Sequence, residues 1–327
     1  MANKPHLDFL DLAKGIGILL VVLGHGMFPN HFLIDSFHMP LFFILAGITF
    51  TPPSRLNVSN TKEWLFKKIE RILVPYIFFA ILSGVIEVAV GRVNPSSPFN
   101  SPLWFLQTLF CSLLVYYIVN ILMSNRSINV MCVLIAISTY YIYKYTHIAS
   151  ILPFAIYRAL IAMVFIHIGT LLSNYYKKEQ RRTPALIISM VAVLVFMSCL
   201  YVSVRYNNVT GLNFHSGSIF TYNTWLPWLL AISGSISVLY VSKLIKSIKP
   251  LNGMGINSLV IMCVHFPLIE RLNMVCASLT LYQSTIGKIT LALTSYAITI
   301  SFSSFMVYVC KRIFPYVTGY SRTFLTR

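Results

Sequence analysis

Long apolar runs are the feature of this sequence that most restricts its fold. Runs of about 17–25 mostly apolar residues recur along the whole chain, and each is long enough for a helix to cross a hydrocarbon core of about 30 Å. Helices are the expected spanning form because they satisfy every backbone polar group internally. We therefore predict an all-α integral membrane protein.

The composition supports a membrane protein and argues against a nucleic-acid-binding one. The 327 residues are 57% hydrophobic and only 10% charged, whereas soluble domains carry about 25% charged residues. The formal net charge is +17, which in a soluble protein would indicate a nucleic-acid partner. In a membrane protein, Lys and Arg instead collect on the cytoplasmic side. We expect no nucleic-acid partner.

The hydropathy pattern predicts about ten transmembrane helices in a single transmembrane domain that covers residues 1–327. Alternating the loops between the two sides puts most of the 25 Lys and Arg residues on the side that holds both termini. Because positive residues mark the cytoplasmic side, both termini are predicted to be cytoplasmic. The predicted spans are 11–28, 37–51, 74–91, 102–123, 128–146, 151–174, 184–204, 224–242, 255–274 and 287–310.

Two connections have distinctive compositions. The cytoplasmic stretch 52–73 is the most basic, and its second half predicts a surface amphipathic helix over 61–74. Trp64 is expected on the apolar side of this helix, and Lys68 and Arg71 on its charged side. The external stretch 205–223 is rich in Asn, Tyr, Gly and Ser and is expected to shape an external mouth.

The first span carries the densest set of ionisable residues, which are functional candidates inside a membrane. Asp11 and Lys14 are three positions apart and are predicted to pair. His25 follows Lys14 by eleven residues, which on a helix places the two on one face about 16 Å apart along the axis. The alternative for Lys14 is that it extends to the cytoplasmic interface, again beside Asp11.

Two further residues near span ends are candidates for the site. His38 opens the second span and is expected near the outer end of the first, where it can face His25. Trp104 begins the fourth span from outside, where an aromatic-belt role is the alternative. No HExxH spacing and no CxxC pair occurs, so we expect no metal site.

Several short motifs follow one another in order along most of the chain. The first is a basic residue, ten residues and then His, here Lys14 to His25 within a Leu-Asp-rich helix start. The others are 36–43 with Gly47, 68–76, 103–106, and 257–261 with His265. Together these motifs resemble the acyltransferase-3 family of membrane acyltransferases, most closely its fucose 4-O-acetylase-like branch.

The resemblance implies an O-acetyltransferase that moves an acetyl group from cytoplasmic acetyl-CoA to a sugar hydroxyl of a cell-surface or lipid-linked glycan. It implies His25 as general base, Lys14 as its basic partner, and Lys68 and Arg71 as ligands of the CoA phosphates. The implied setting is a cell inner (plasma) membrane. Many relatives have Arg at the position of Lys14; Lys keeps the charge but cannot bind a phosphate with two parallel hydrogen bonds.

The remaining roles follow from chemistry and stay open. His38 and Trp104 are candidate donors to the oxyanion that forms on the thioester carbonyl, and Asp11 is expected to position Lys14. The acetyl group can pass directly to the acceptor or through an acyl-histidine. The main alternative function is transport of a lipid-linked saccharide or small anion, although the sequence shows no internal repeat of the transporter kind.

Overall fold

The part of the chain that the structure describes is helical, as the apolar runs predicted. A computed structural model describes residues 8–28, 32–53, 58–89, 103–145, 156–178, 182–205 and 226–319, and no strand occurs in those ranges. The first helices are α1 (Asp8–Gly24), α2 (Phe32–Asp35), α3 (His38–Ile48), α4 (Val58–Lys68), α5 (Val74–Ala89), α6 (Trp104–Leu122) and α7 (Asn125–Tyr145). The later ones are α8 (Ile156–Lys178), α9 (Arg182–Arg205), α10 (Leu226–Ile245), α11 (Lys249–Ile256), α12 (Ser258–Ser278) and α13 (Thr285–Ile313).

Six of the described helical segments are long and apolar enough to cross a membrane. Three shorter apolar helices accompany them, and the chain is a multi-pass membrane protein. The count of about ten spans and the cytoplasmic termini stay predictions. The long segments are Val58–Ile86, Trp104–Leu122, Pro184–Arg205, Leu226–Ile245, Ser258–Ser278 and Thr285–Ile313, and the shorter ones are Leu33–Ile48, Asn125–Ser138 and Arg158–Ser173.

Helix α5 shows how these segments meet lipid. Ile77, Ile81 and Val85 are spaced four apart and therefore form one stripe along the helix. Their side chains are 53%, 63% and 61% exposed in the isolated chain. A row of large apolar side chains facing water would be costly, so this stripe faces the hydrocarbon core.

The helix predicted over 61–74 is present, but it continues into the next segment, and the sides of Trp64 and Lys68 differ from the prediction. The structure has one long helical run, Val58–Ile86, in which a π-helical turn, Ile69–Leu73, joins α4 to α5. Trp64 is buried and Lys68 lies over its ring, while Phe66 is 67% exposed. Residues four apart share a helix face, so Trp64 and Lys68 lie on the same side rather than on opposite sides.

The chain divides into two compact units. The first contains residues 1–21, 30–50 and 119–258, and therefore α2, α3, α7 to α11 and most of α1. The second contains residues 22–29, 51–118 and 259–327, and therefore the end of α1, α4, α5, most of α6, α12 and α13.

In the first unit, α3 is the central helix and nearly all of its residues are buried. It crosses α8 so closely that the two backbones touch. A Cβ at Gly47 would overlap the carbonyl oxygen of Ile166, and a Cβ at Gly169 would overlap that of Ile44. Small residues at helix crossings permit this approach in membranes. On another side of α3, the Ser235 hydroxyl of α10 donates to the Phe37 carbonyl at 3.3 Å.

Candidate functional site

Asp11 and Lys14 form the ion pair that their spacing predicted. The Lys14 ammonium donates to the Asp11 carboxylate at 3.1 Å, one turn along α1. Asp11 is buried and Lys14 is partly exposed. The contact with Asp11 therefore fixes the position of the Lys14 ammonium in the first unit.

Helix α11 closes over the stretch of α1 that carries this ion pair. A Cβ at Gly15 would overlap the Leu251 carbonyl oxygen, and one at Gly255 would overlap the Asp11 carbonyl oxygen. The two backbones are therefore in contact on both sides of the pair. The Asn252 side-chain amide donates to the Asp8 carbonyl at 2.8 Å and ties α11 to the first turn of α1. This packing restricts the backbone from which Asp11 and Lys14 project.

His25 lies on the turn that follows α1, and not inside a helix that continues to residue 28. The helix ends at Gly24, and the Gly26 amide donates to the Leu23 carbonyl at 3.0 Å. Glycines on both sides of His25 favour a helix end. Because His25 lies beyond Gly24, the helix geometry that placed Lys14 and His25 on one face does not extend to His25.

The His25 imidazole packs against two neighbouring rings of α12, within the second unit. Its centroid lies 5.3 Å from that of His265, with the planes tilted by 36°. Phe266 meets it edge to face at 5.1 Å. His25 as a whole is half-buried.

The hydrogen bonding of His265 determines which ring nitrogen carries its proton. His265 is fully buried, and its Nδ1 lies 3.0 Å from the carbonyl of Ile261. A carbonyl can only accept, so Nδ1 carries hydrogen and Nε2 of the neutral ring is an acceptor. Pro267, inside α12, has no N–H to donate, so one backbone hydrogen bond of the helix is missing close to the His25 contact.

The backbone of His25 is held by the same helix. The side-chain amide of Asn273 donates to the His25 carbonyl at 2.9 Å. Carbonyls at the C-terminal end of a helix have no partner within that helix. Asn273 supplies a partner here, so α12 contacts both the ring and the main chain of His25.

Lys68 is positioned by an aromatic cluster in the second unit. Its ammonium lies 5.6 Å from the centroid of the Trp64 ring, within the range of a cation–π interaction. Trp64 in turn stacks on Tyr117 of α6 at 4.5 Å. The hydroxyls of Tyr117 and Thr61 lie 2.9 Å apart and form a hydrogen bond. Trp64, Tyr117 and Thr61 therefore form a platform against which the Lys68 side chain is held.

Arg71 lies in the π-helical turn Ile69–Leu73. Such turns are frequent at functional sites because they alter the direction of the side chains that follow. A Cβ at Gly319 would lie 3.3 Å from the Arg71 carbonyl oxygen. Gly319 has a φ of 75°, a conformation that favours glycine. The turn after α13 thus packs against the backbone that carries Arg71.

His38 and Trp104 have local contacts that fit several roles. The Nδ1 of His38 donates to the Ile34 carbonyl at 2.8 Å and lies 3.8 Å from the Asp35 carboxylate. Trp104 is half-buried at the start of α6 and meets Phe105 edge to face at 6.3 Å. His38 belongs to the first unit and His25 to the second, and their pairing stays a prediction. The expected external mouth at 205–223 lies almost wholly outside the described residues.

His265, Phe266 and Asn273 contact His25 but were not among the predicted site residues. His265 appeared only as part of a family-like motif. Asn273 carried no motif. The available signal was helical spacing, since residues seven or eight apart, such as Phe266 and Asn273, return to one helix face. A list of polar residues on the face of His265 would have included Asn273.

Comparisons with known proteins agree with the resemblance seen in the motifs. The family described as "Acyltransferase domain", acyltransferase-3, matches residues 7–308. Comparisons with curated proteins and with solved structures found no match. The family match includes the Asp11–Lys14 pair, the Lys68 platform and the contacts of His25. Because it covers most of the chain, the protein belongs to the acyltransferase-3 family and is a membrane acyltransferase.

Proposed function

We propose that this membrane acyltransferase is an O-acetyltransferase, with acetyl-CoA as donor, a sugar hydroxyl as acceptor, and His25 as general base. The observation that carries the proposal is the packing of the half-buried His25 ring against His265 and Phe266, inside the family-matched region. A histidine held by its neighbours but open on one side is suited to take a proton from a bound hydroxyl.

The reaction needs one proton acceptor and one leaving group. Neutral His25 takes the proton of the acceptor hydroxyl while that oxygen attacks the thioester carbonyl carbon. The new C–O bond forms, the C–S bond breaks, and the leaving CoA sulfur receives the proton from the imidazolium. The products are the acetyl ester and free CoA, and His25 is neutral again. General base catalysis of this kind contributes about 10²–10⁴-fold to the rate.

His265 acts in this mechanism as a positioning residue. Its Nδ1 is committed to the Ile261 carbonyl, so its ring cannot rotate without losing that hydrogen bond. The fixed ring restricts the orientations open to His25. Holding a base in a productive orientation lowers the barrier because less freedom is lost on reaching the transition state.

The donor phosphates have fitting partners in Lys68 and Arg71. Lys68 is held over Trp64, and Arg71 projects from the π-helical turn three residues later. Ammonium and guanidinium groups bind phosphate through charge-assisted hydrogen bonds. Lys14, held by Asp11 in the first unit, remains our candidate for the basic partner that the resemblance implies. The flexible pantetheine arm of the donor carries the thioester that His25 acts on.

The acceptor and the location follow from the resemblance and from the predicted topology. Likeness to the fucose 4-O-acetylase-like branch favours a sugar hydroxyl on a cell-surface or lipid-linked glycan. A cell inner (plasma) membrane provides cytoplasmic acetyl-CoA on one face and such a glycan on the other. His38 and Trp104 remain our candidates for contacts with the oxyanion or the acceptor.

The test is transfer of radiolabel from acetyl-CoA to the glycolipid and polysaccharide fractions of membranes that contain the protein. We expect label in a glycan fraction with the wild-type protein and at least a 10²-fold loss with His25→Ala at equal membrane content. His167→Ala removes a buried histidine of α8 that bonds to Asn129 and serves as the matched control. Full transfer by His25→Ala would exclude His25 as the base.

A further inference from the structure

The side chain of Asn273 holds the main chain at His25 through a hydrogen bond. Its amide nitrogen donates to the His25 carbonyl at 2.9 Å. His25 lies one residue beyond the end of α1, where the chain is no longer held by a regular helix ladder. The hydrogen bond from Asn273 therefore acts on the residue whose ring takes part in the proposed chemistry.

The contacts of α12 with His25 come from two levels of the same helix. His265 and Phe266 meet the ring, and Asn273 meets the backbone two turns later. Seven residues are almost two turns, so Phe266 and Asn273 project from one face of α12. Ring packing alone leaves the Cα of His25 free to shift. A backbone contact alone leaves the ring free to rotate.

The side-chain oxygen of Asn273 adds a second reason to single this residue out. Within the described part of the chain, this oxygen is buried and has no hydrogen-bond partner. A buried amide oxygen without a partner is costly. A residue that only filled space would not need a buried polar side chain. The hydrogen bond from the amide nitrogen to the His25 backbone therefore indicates another role for Asn273.

We propose that Asn273 is a positioning residue for the transfer reaction, acting through the main-chain carbonyl of His25. The inference rests on the proposed function, because it assigns Asn273 to the same base. Loss of the hydrogen bond lets the turn after α1 move and displaces the imidazole. Displacement of a catalytic group by about 1 Å can lower the rate by about 10²-fold.

Asn252 offers a matched control, because its side chain also donates to a backbone carbonyl at an end of α1. Asn252 donates its side-chain amide to the Asp8 carbonyl at 2.8 Å, which is the same kind of contact at the other end of α1. Asn273→Leu and Asn252→Leu each remove such a hydrogen bond with little change in side-chain volume. Asn252→Leu also removes the hydrogen bond that the Ile248 amide donates to the Asn252 side-chain oxygen. Asn273→Gln keeps an amide donor on a longer side chain and tests rescue.

Two measurements on the full-length protein in membranes or detergent decide the inference. The first is hydrogen exchange of peptides covering residues 19–28, which reports motion of the turn whether or not His25 is catalytic. The second is the initial rate of acetyl transfer from radiolabelled acetyl-CoA to the membrane glycan fraction, measured against acetyl-CoA concentration. Both are normalised to folded protein.

We expect Asn273→Leu to increase exchange at residues 22–28 and to lower the maximal rate about 10–100-fold, with the KM for acetyl-CoA unchanged. Asn273→Gln should recover part of the rate, and Asn252→Leu should leave exchange at 22–28 unchanged. Unchanged exchange in Asn273→Leu overturns the inference, and so does increased exchange with a full rate. Failure of the proposed function would appear separately, in the wild-type and His25→Ala proteins.

Discussion

The imidazole of His25 packs against that of His265, with the two ring centroids 5.3 Å apart and the planes tilted by 36°. The two histidines are 240 positions apart in the sequence and come from the end of α1 and from α12. His265 is fully buried and bonded to its own helix, whereas His25 is half-buried. This difference supports our proposal that His25 transfers the proton and that His265 orients the His25 ring.

The role of His265 predicts a specific kinetic defect. His265→Phe keeps an aromatic ring beside His25 but removes the hydrogen bond to the Ile261 carbonyl and with it the fixed ring orientation. We expect the maximal transfer rate per folded molecule to fall about 10–100-fold, with little change in the KM for acetyl-CoA. Steady-state transfer kinetics check this. A change in KM alone would instead indicate a role in donor binding.

The Asp11–Lys14 pair predicts coupled effects of two substitutions. Asp11→Asn and Lys14→Met each break the 3.1 Å contact, so the double variant should lose less than the sum of the single losses. The coupling free energy for residues in direct contact is about 0.5–3 kcal/mol. A double-mutant cycle on transfer rates measures this energy. Simple additivity would show that the ion pair does not matter for the reaction.

Neighbouring lysines of α4 should differ in donor binding. Lys68 stands over Trp64 on the inward face, whereas Lys67 pairs with Glu63 at 2.5 Å on the exposed face. A lost charge-assisted hydrogen bond costs about 1.5–3 kcal/mol, so Lys68→Met should raise the KM for acetyl-CoA about 10–100-fold. Lys67→Met removes the same charge and should leave KM nearly unchanged. Equal effects of the two substitutions would contradict a specific phosphate contact at Lys68.

The space around two glycines predicts opposite effects of their substitution by alanine. Gly47 lies at the close contact between α3 and α8, whereas Gly84 lies in α5. Gly47→Ala places a Cβ on the Ile166 carbonyl oxygen, so one backbone must shift, at a cost of about 1–3 kcal/mol. At Gly84 of α5 a Cβ meets nothing within 4 Å, so Gly84→Ala should stabilise the helix by about 0.4–1 kcal/mol. Thermal unfolding of detergent-purified protein measures both. A lowered Tm for Gly84→Ala, or an unchanged Tm for Gly47→Ala, would contradict this packing.

Composition and local spacing were sufficient to predict the class of the protein and its local ion pair. Apolar runs long enough to cross a bilayer, with few charges, leave helices as the spanning structure, and an Asp and a Lys three positions apart on a helix meet whatever surrounds them. Ordered motifs were sufficient to indicate the family that matches residues 7–308. These features depend on residues close together in the chain or on composition.

The groups that surround His25 and the contacts that hold Lys68 depend on how the helices pack, which the sequence patterns did not predict. His265 and Asn273 reach His25 because α12 packs against the end of α1, and no local pattern records a contact across more than 200 positions. The run Val58–Ile86 joins the helix predicted over 61–74 to the segment that follows it, because a π-helical turn links α4 to α5. Hydropathy reports which residues avoid water, but packing between helices decides which of them meet.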